Sequence, residues 1–314
     1  MKKTRSQSDR GVILLIVLWV TIMLSVIAFG FASDIQLGAR SVENTNQSAA
    51  GYFLAKAAVS EAVYEMMKMN QGGVDVAVSR AFKQQRIALQ PITIQLETGT
   101  GDCWIENEAG KLDVNSGSPW VLQNLLVKQF GVEESKAESI AAAWTDRRKA
   151  TPDSEGLLHG GPLTSVEEML DVSGMKSSFV YGEWALDREG QAVLHRGLLS
   201  LATVYSASPR LNLNYASIDL LKSLPGVTDD QAHLIETTRA QRYFDSVDDC
   251  QQRTAVQFSD QARDLVSVED LPVFTLLARG HAKDAGFDRT VRAIVQFGPT
   301  PMGYRILYWK DEEL

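Results

Sequence analysis

The residue types that carry chemistry are few in this chain and widely spaced. His159, His195, His233 and His281 stand far apart, and none has a second ligand at a zinc spacing. Cys103 and Cys250 lack both the Cys-x-x-Cys context of a redox pair and the surroundings of a catalytic thiol. Neither a nucleophile elbow nor a phosphate-binding glycine loop is present, and the chain reads as a non-enzyme. Asp146, Asp153 and Glu155 are spaced along one segment as calcium ligands can be, since that ion gathers several carboxylate and carbonyl oxygens. Arg147, Arg148 and Lys149 interrupt them, so the same segment also reads as a solvated polar loop. The remaining site invites a reaction done to the chain: Arg10-Gly11-Val12. A secretory signal peptide is cut after its apolar region, at small residues. Here a basic leader ends in glycine before the apolar run. Cutting after Gly11 would make the hydrophobic segment the new N-terminus.

That segment is the element that positions the bond. Residues 12–32 form a run of 21 without charge, relieved only by Thr21, Ser25 and Gly30. As a helix it would rise roughly 31 Å, about the thickness of a bilayer's hydrocarbon core. Lys2, Lys3, Arg5 and Arg10 against Asp9 hold the leader in the cytoplasm by the positive-inside tendency. The expected placement is the bacterial inner membrane, crossed once, with the C-terminal domain in the periplasm. The whole chain carries −8, and the part beyond the basic leader is more acidic still. Such a body is a poor polyanion binder, so no nucleic-acid partner is expected.

The helical pattern runs on past the membrane segment. Val42, Ala49, Phe53, Ala57, Tyr64 and Met67 recur at three-, four- and seven-residue steps and predict the buried stripe. Glu61, Glu65 and Lys68 line another side, and Asn70-Gln71-Gly72-Gly73 supplies a stop. Residues 91–108 read as a strand from Ile92 to Leu96, a turn at Gly99-Thr100-Gly101, and a second strand through Cys103-Trp104-Ile105. Three more strands are predicted at 273–277, 290–296 and 304–309. Strand-like sequence at both ends, with a helical block between, predicts one domain interrupted by an insertion. The divisions are 1–11, a leader; 12–69, the long helix; 70–110, the first part of a sheet; 111–265, the inserted helical block; and 266–314, the rest of the sheet. Cys103 and Cys250 fall in different parts; two separately buried thiols are expected, although the periplasm would permit a bridge.

The inserted block repeats itself. Lys111-Leu112-Asp113-Val114-Asn115 matches Arg210-Leu211-Asn212-Leu213-Asn214, and helices are predicted after each at 118–130 and 217–224. Gly131-Val132-Glu133-Glu134 then matches Gly226-Val227-Thr228-Asp229, Ala137 and Ile140 match Ala232 and Ile235, and Thr164-Ser165-Val166 matches Asp245-Ser246-Val247. The Asn-to-Ser stretch before each helix suits an N-cap, and each glycine suits a tight turn. Leu224-Pro225-Gly226-Val227 resembles a helix-hairpin-helix turn. The alternative it raises is a membrane-anchored receptor that binds DNA for uptake, through hairpin N–H groups on phosphate. Glu133-Glu134 and Asp229-Asp230 sit where phosphate would be repelled.

The ordered set of motifs resembles the minor pseudopilin K family of type II secretion systems, general secretion pathway protein K. The resemblance rests on Arg10-Gly11 before Val12-Ile13-Leu14-Leu15-Ile16-Val17-Leu18-Trp19, on Leu54-Ala55-Lys56-Ala57-Ala58-Val59, and on Glu106-Asn107-Glu108-Ala109-Gly110-Lys111. Ser165-Val166-Glu167-Glu168-Met169-Leu170 and Arg305-Ile306-Leu307-Tyr308-Trp309-Lys310 extend it to the chain's end. It implies an α+β fold: a pilin-like long N-terminal helix packed on a small antiparallel sheet, with a large all-α domain of helix-hairpin-helix-like repeats inserted. It implies cleavage after Gly11 by prepilin peptidase and methylation of Val12, where most pilins have phenylalanine. Partners would be minor pseudopilins I and J, the major pseudopilin and the inner-membrane assembly platform. The family's calcium would fall to the Asp146 loop, which is shorter and more basic than the family's acidic loop. Most pilin-like proteins have glutamate at the fifth processed position, to pair with a neighbour's amine; here it is Ile16. A carboxylate in the bilayer is costly without that partner. An aliphatic residue therefore implies a subunit with nothing above it, at the pseudopilus tip.

Overall fold

The structure, a computed structural model, describes residues 8–70, 91–149, 151–152, 158–186, 192–283 and 285–312. Its longest element is helix α1, Ser8–Asn70. The last five turns of α1 lie on one face of a five-stranded antiparallel sheet: β1 Ile92–Leu96, β2 Gly99–Asn107, β3 Val273–Ala282, β4 Asp288–Phe297 and β5 Tyr304–Glu312. The strands stand side by side in chain order, so everything between Asn107 and Val273 is inserted between two hydrogen-bonded neighbours. The three C-terminal strands are longer than the sequence indicated. Their alternation continues through Arg279, His281, Arg289 and Lys310, whose polar side chains hide the pattern.

The buried stripe of α1 is Gly51, Leu54, Ala55, Ala58, Val59, Ala62, Val63 and Met66. This corrects the stripe expected from sequence, because Val42, Phe53 and Tyr64 are exposed. The reason is steric. The small residues let the helix backbone settle onto the sheet where Gly101 and Gly280 are directly paired across β2 and β3. A Cβ on Gly280 would overlap the Gly51 carbonyl oxygen, and one on Gly101 would stand 2.5 Å from the Leu54 oxygen. Gly99-Thr100-Gly101 is therefore strand, contrary to the turn expected there; the turn is made by Glu97 and Thr98. Leu54, Val59, Val63 and Met66 supply the apolar burial, each worth about 1.5–3 kcal/mol.

The insertion has its own core and is built twice. Helices α2 (Pro119–Phe130) and α3 (Glu134–Arg147) flank Gly131; α4 (Ile218–Ser223) and α5 (Asp229–Gln241) lie either side of Gly226. Both glycines are left-handed, with φ of 63° and 74°, where a side chain would be strained. The two hairpins dock on each other: Lys128 donates to the carbonyls of Lys222 (2.6 Å) and Val227 (3.1 Å), and Asn124 donates to that of Ser223 (2.9 Å). Matching short strands, Leu112–Asp113 with Ala202–Thr203 and Leu211–Asn212 with Val266–Ser267, pair in parallel. An antiparallel hairpin, Gly182–Leu186 with Ala192–Arg196, adds a β element to the otherwise helical block.

Asn115 and Asn214 do the same work in each copy. Asn115 donates to and accepts from the Leu163 backbone; Asn214 does so with the Phe244 backbone. Each thereby clamps the residue just before the repeated Thr164-Ser165-Val166 or Asp245-Ser246-Val247 segment. Neither asparagine caps its helix. Ser217 caps α4 through the N–H of Leu220, whereas the Ser118 side chain makes no cap bond and the equivalent Val121 N–H donates to the Ser118 carbonyl. The copies also share a bond that sequence identity hides. Trp144 donates to the Val114 carbonyl at 2.9 Å, and Arg239, at the equivalent turn of α5, donates to the Leu213 carbonyl at 2.7 Å.

The insertion is tied to the sheet where the chain leaves and returns. Asn107 donates to the Leu271 carbonyl at 2.9 Å. Buried Glu108 accepts from Lys111 and from the Thr275 hydroxyl, both at 2.6 Å. A buried carboxylate that lost Lys111 would be left unpaired, at a cost of about 3–5 kcal/mol.

Candidate functional site

Gly11 and Val12 lie within the first turns of α1, and Ile16 follows one turn later, 57 % exposed. From Ile13 to Phe31 the large apolar side chains are all exposed, and no described residue covers them. The polar atoms of this run are satisfied within the helix. Thr21 donates to the carbonyls of Val17 and Leu18, and Ser25 donates to that of Thr21. A helix that hydrogen-bonds its own hydroxyls and bares its hydrocarbon is suited to lipid, where no water can satisfy a polar group. By length and composition α1 can cross a membrane, and it is the one described helix that can. Further along, Phe53 and Tyr64 remain on the outward side of α1, with Lys68 5.0 Å from the Tyr64 ring.

The other predicted sites separate. Asp146 is exposed and pairs with Lys149 at 3.2 Å, while Arg147 faces Glu168 and Asp171 at 3.6 and 3.8 Å. Arg148 turns inward, donates to the Gly117 carbonyl and stacks 4.4 Å from the Trp144 ring. Desolvation at this spot lowers the Arg148 pKa, against the pull of Asp113. In the described part of the loop Asp146 is thus paired with a cation of its own segment. Asp153 and Glu155 lie outside the described residues. Among the described residues no three His, Cys, Asp or Glu side chains converge as a metal site.

His195 meets the Gln129 carbonyl and His281 meets Asp288 at 2.7 Å, in different parts of the molecule. Cys103 lies in the core under α1. Cys250 lies in helix α6, Val247–Thr254, within the insertion's core, so the two remain free thiols. Burial pushes the Cys103 thiol up to about 12 and the Cys250 thiol to about 11, which keeps both protonated and unreactive.

The hairpin tips are acidic. Asp229 is reached by Lys222 at 3.4 Å, Thr228 caps the Gln231 N–H, and the Val132 and Val227 N–H groups are taken by Leu126 and Leu224. These hairpins build the insertion's core and carry Glu133, Glu134, Asp229 and Asp230 at their tips, where phosphate would be repelled, so they do not support the DNA-receptor alternative.

These features define a pilin-like class: a membrane-length helix whose distal half packs on an antiparallel sheet, here opened by a duplicated helical insertion. Comparison with protein-family models and with curated proteins gives no match. Among solved structures the chain is similar to a chain of the crystal structure of the GspK-GspI-GspJ complex from the enterotoxigenic Escherichia coli type 2 secretion system. The TM-score is 0.60 at 16 % identity, over 88 % of this chain and 99 % of that one. The likeness establishes a pseudopilin-like fold.

Sequence reasoning missed a cleft between the sheet's other face and the insertion. Arg292 and Lys310 enter it from adjacent strands, and Arg196 from the inserted hairpin. Arg292 sits within a predicted strand and Lys310 one residue beyond another, and that was the available signal.

Proposed function

We propose that this chain is a non-enzymatic minor pseudopilin that occupies the tip of a type II secretion pseudopilus and helps initiate its assembly. The observation carrying this reading is a pilin-like head, opened between its second and third strands by a bulky insertion, on a helix with a bare membrane-length face. The leader is inserted with its basic end inside, and prepilin peptidase hydrolyses the Gly11–Val12 bond. The freed Val12 amine is methylated. The anchored helix then packs laterally against the helices of other pseudopilins, minor I and J among them, and is drawn from the inner membrane as the platform adds subunits below. The duplicated insertion obstructs addition above. Ile16 agrees with that place, since an uppermost subunit has no neighbouring amine to satisfy a carboxylate.

The test is secretion by cells carrying Gly11→Ala or Ile16→Glu in place of the parent chain. Gly11→Ala is expected to stop leader removal and export. Ile16→Glu is expected to disturb tip placement while leaving leader removal intact. Continued processing and export in Gly11→Ala would overturn the pseudopilin reading. Unchanged tip placement in Ile16→Glu would overturn the role given to Ile16.

A further inference from the structure

We propose that the cleft between the sheet and the insertion binds a neutral oligosaccharide. Its floor is the face of the sheet opposite α1, in two rungs that cross the strands. One rung runs Glu106, Thr275, Ile294 and Tyr308, through direct pairs of β2 with β3, β3 with β4 and β4 with β5. The next runs Leu277, Arg292 and Lys310. All of these line the cleft, and Glu167, Arg196 and Tyr205 line it from the insertion. Its volume of about 520 Å³ falls within the range of about 300–1,000 Å³ found for ligand pockets. A second cleft of about 410 Å³ adjoins it, and the two share Glu106, Lys111, Arg196 and Ser200, which leaves room for a ligand of several units.

The charges of the cleft are of both signs and do not select a charged ligand. Glu106 and Glu108 are held by Lys111, at 3.7 and 2.6 Å, and Arg292 is already engaged within the protein. In the adjoining cleft Glu236 lies 3.9 Å from Arg239. What remains is one carboxylate, Glu167, and two cations, Arg196 and Lys310, none with an ion-pair partner among the described residues. An acceptor and two donors thus stand unpaired in one cleft. A hydroxyl suits both kinds, because it donates one hydrogen bond and accepts others without carrying charge.

Aromatic rings supply the other half of the recognition. Tyr181, Tyr205 and Tyr308 line the cleft, and the C–H faces of a sugar ring pack on such flat apolar surfaces. Trp184 extends the series. Gly182 pairs directly with Arg196, so Trp184, two residues on, shares the side of the hairpin that carries Arg196. Its ring is 72 % exposed. A peptide also brings donors and acceptors, but its backbone needs a strand edge to pair with. Here the floor is a sheet face whose N–H and C=O groups are spent in the ladder, so a peptide backbone would be buried unpaired. A ring with hydroxyls at its rim meets the side chains without that cost.

The experiment titrates the full chain with chitohexaose and with maltohexaose by calorimetry, in micelles of an amine-oxide detergent that carries no sugar. Saturable binding of at least one is expected, and it should change little with added salt because the ligand is uncharged. Glu167→Ala and Arg196→Ala should each lower affinity by about tenfold. Trp184→Ala removes an exposed ring, so the fold should keep its melting temperature while affinity falls severalfold. Lack of saturable binding for both sugars, or affinity unchanged in all three variants, would overturn the proposal. Displacement of the sugar by hexaglutamate or inorganic phosphate would indicate an anion site, and displacement by an alternating Glu-Lys hexapeptide a peptide cleft; either would overturn it too.

Discussion

Replacing Asp113 with asparagine exchanges one carboxylate oxygen for an NH₂ group and should markedly destabilise the insertion's first repeat. Asp113 is 1 % exposed and accepts five hydrogen bonds. One oxygen takes the Asn115 and Ser116 N–H groups and the Ser116 hydroxyl, at 2.9, 2.8 and 3.0 Å. The other takes the Ser206 hydroxyl and the Ala207 N–H, both at 2.8 Å. An amide keeps a single acceptor oxygen. If that oxygen stays toward Asn115 and Ser116, the new NH₂ faces two donors. The Ser206 hydroxyl can turn and accept, but the Ala207 N–H cannot. Leaving this half-buried N–H unsatisfied costs about 1–3 kcal/mol, and the remaining bonds lose the strength that charge gave them. The sum is about 3–5 kcal/mol, or roughly 6–20 °C in the melting temperature of a unit of this size. The assay is thermal unfolding of the full chain in micelles, followed by circular dichroism, with exposed Asp264→Asn as the neutral control. At the equivalent place in the second repeat, Asn212 donates to the Glu269 carbonyl at 2.7 Å. Asn212→Asp should therefore destabilise as well, because it sets two acceptors face to face. A shift below about 2 °C for Asp113→Asn would refute the assignment of these bonds, since one unsatisfied half-buried donor alone should exceed it.

The contact between α1 and the sheet gives a steric prediction. Gly280→Ala should cost about 1–3 kcal/mol in urea unfolding, because its Cβ overlaps the Gly51 carbonyl and stands 2.5 Å from the Ala55 nitrogen. Gly286→Ala, with nothing within 4 Å, should be near neutral. The buried thiols give a pH prediction. Both folded values are raised, to about 12 and 11, above the ordinary 9.0. Their contribution is thus fully present below pH 9.0 and is lost as pH rises towards 11 and 12. The denaturation midpoint should fall more steeply above pH 9.0 in the parent than in a Cys103→Ala, Cys250→Ala double variant. Equal slopes would count against it.

The long helix was legible because uncharged length and an adjacent glycine stop leave little room for another reading. Its buried face was not. Phe53 and Tyr64 are the larger hydrophobes, but what decides the face is the closeness with which Gly51, Ala55 and Ala58 allow backbone to meet backbone. Only the partner sheet reveals that requirement. Gly99 and Gly101 misled for the same reason, since they read as turn residues and are strand glycines lying beneath α1. The duplication was visible where both copies keep the same side chain, as at Asn115 and Asn214. It was invisible at Trp144 and Arg239, which share only a donor and its direction. The cleft cations were hidden because Arg196 and Lys310 are far apart in sequence and meet only through the insertion's return to the sheet.

The most direct measurement is the mass and N-terminal sequence of the chain isolated from membranes of a bacterium with a working type II secretion system. A mature chain that begins at Val12, with its amine methylated and Ile16 in fifth place, is the expected result. A chain that still begins at Met1, or one cut beyond Ala32 so that the apolar helix is lost, would contradict the proposal that this protein is a processed subunit of the pseudopilus.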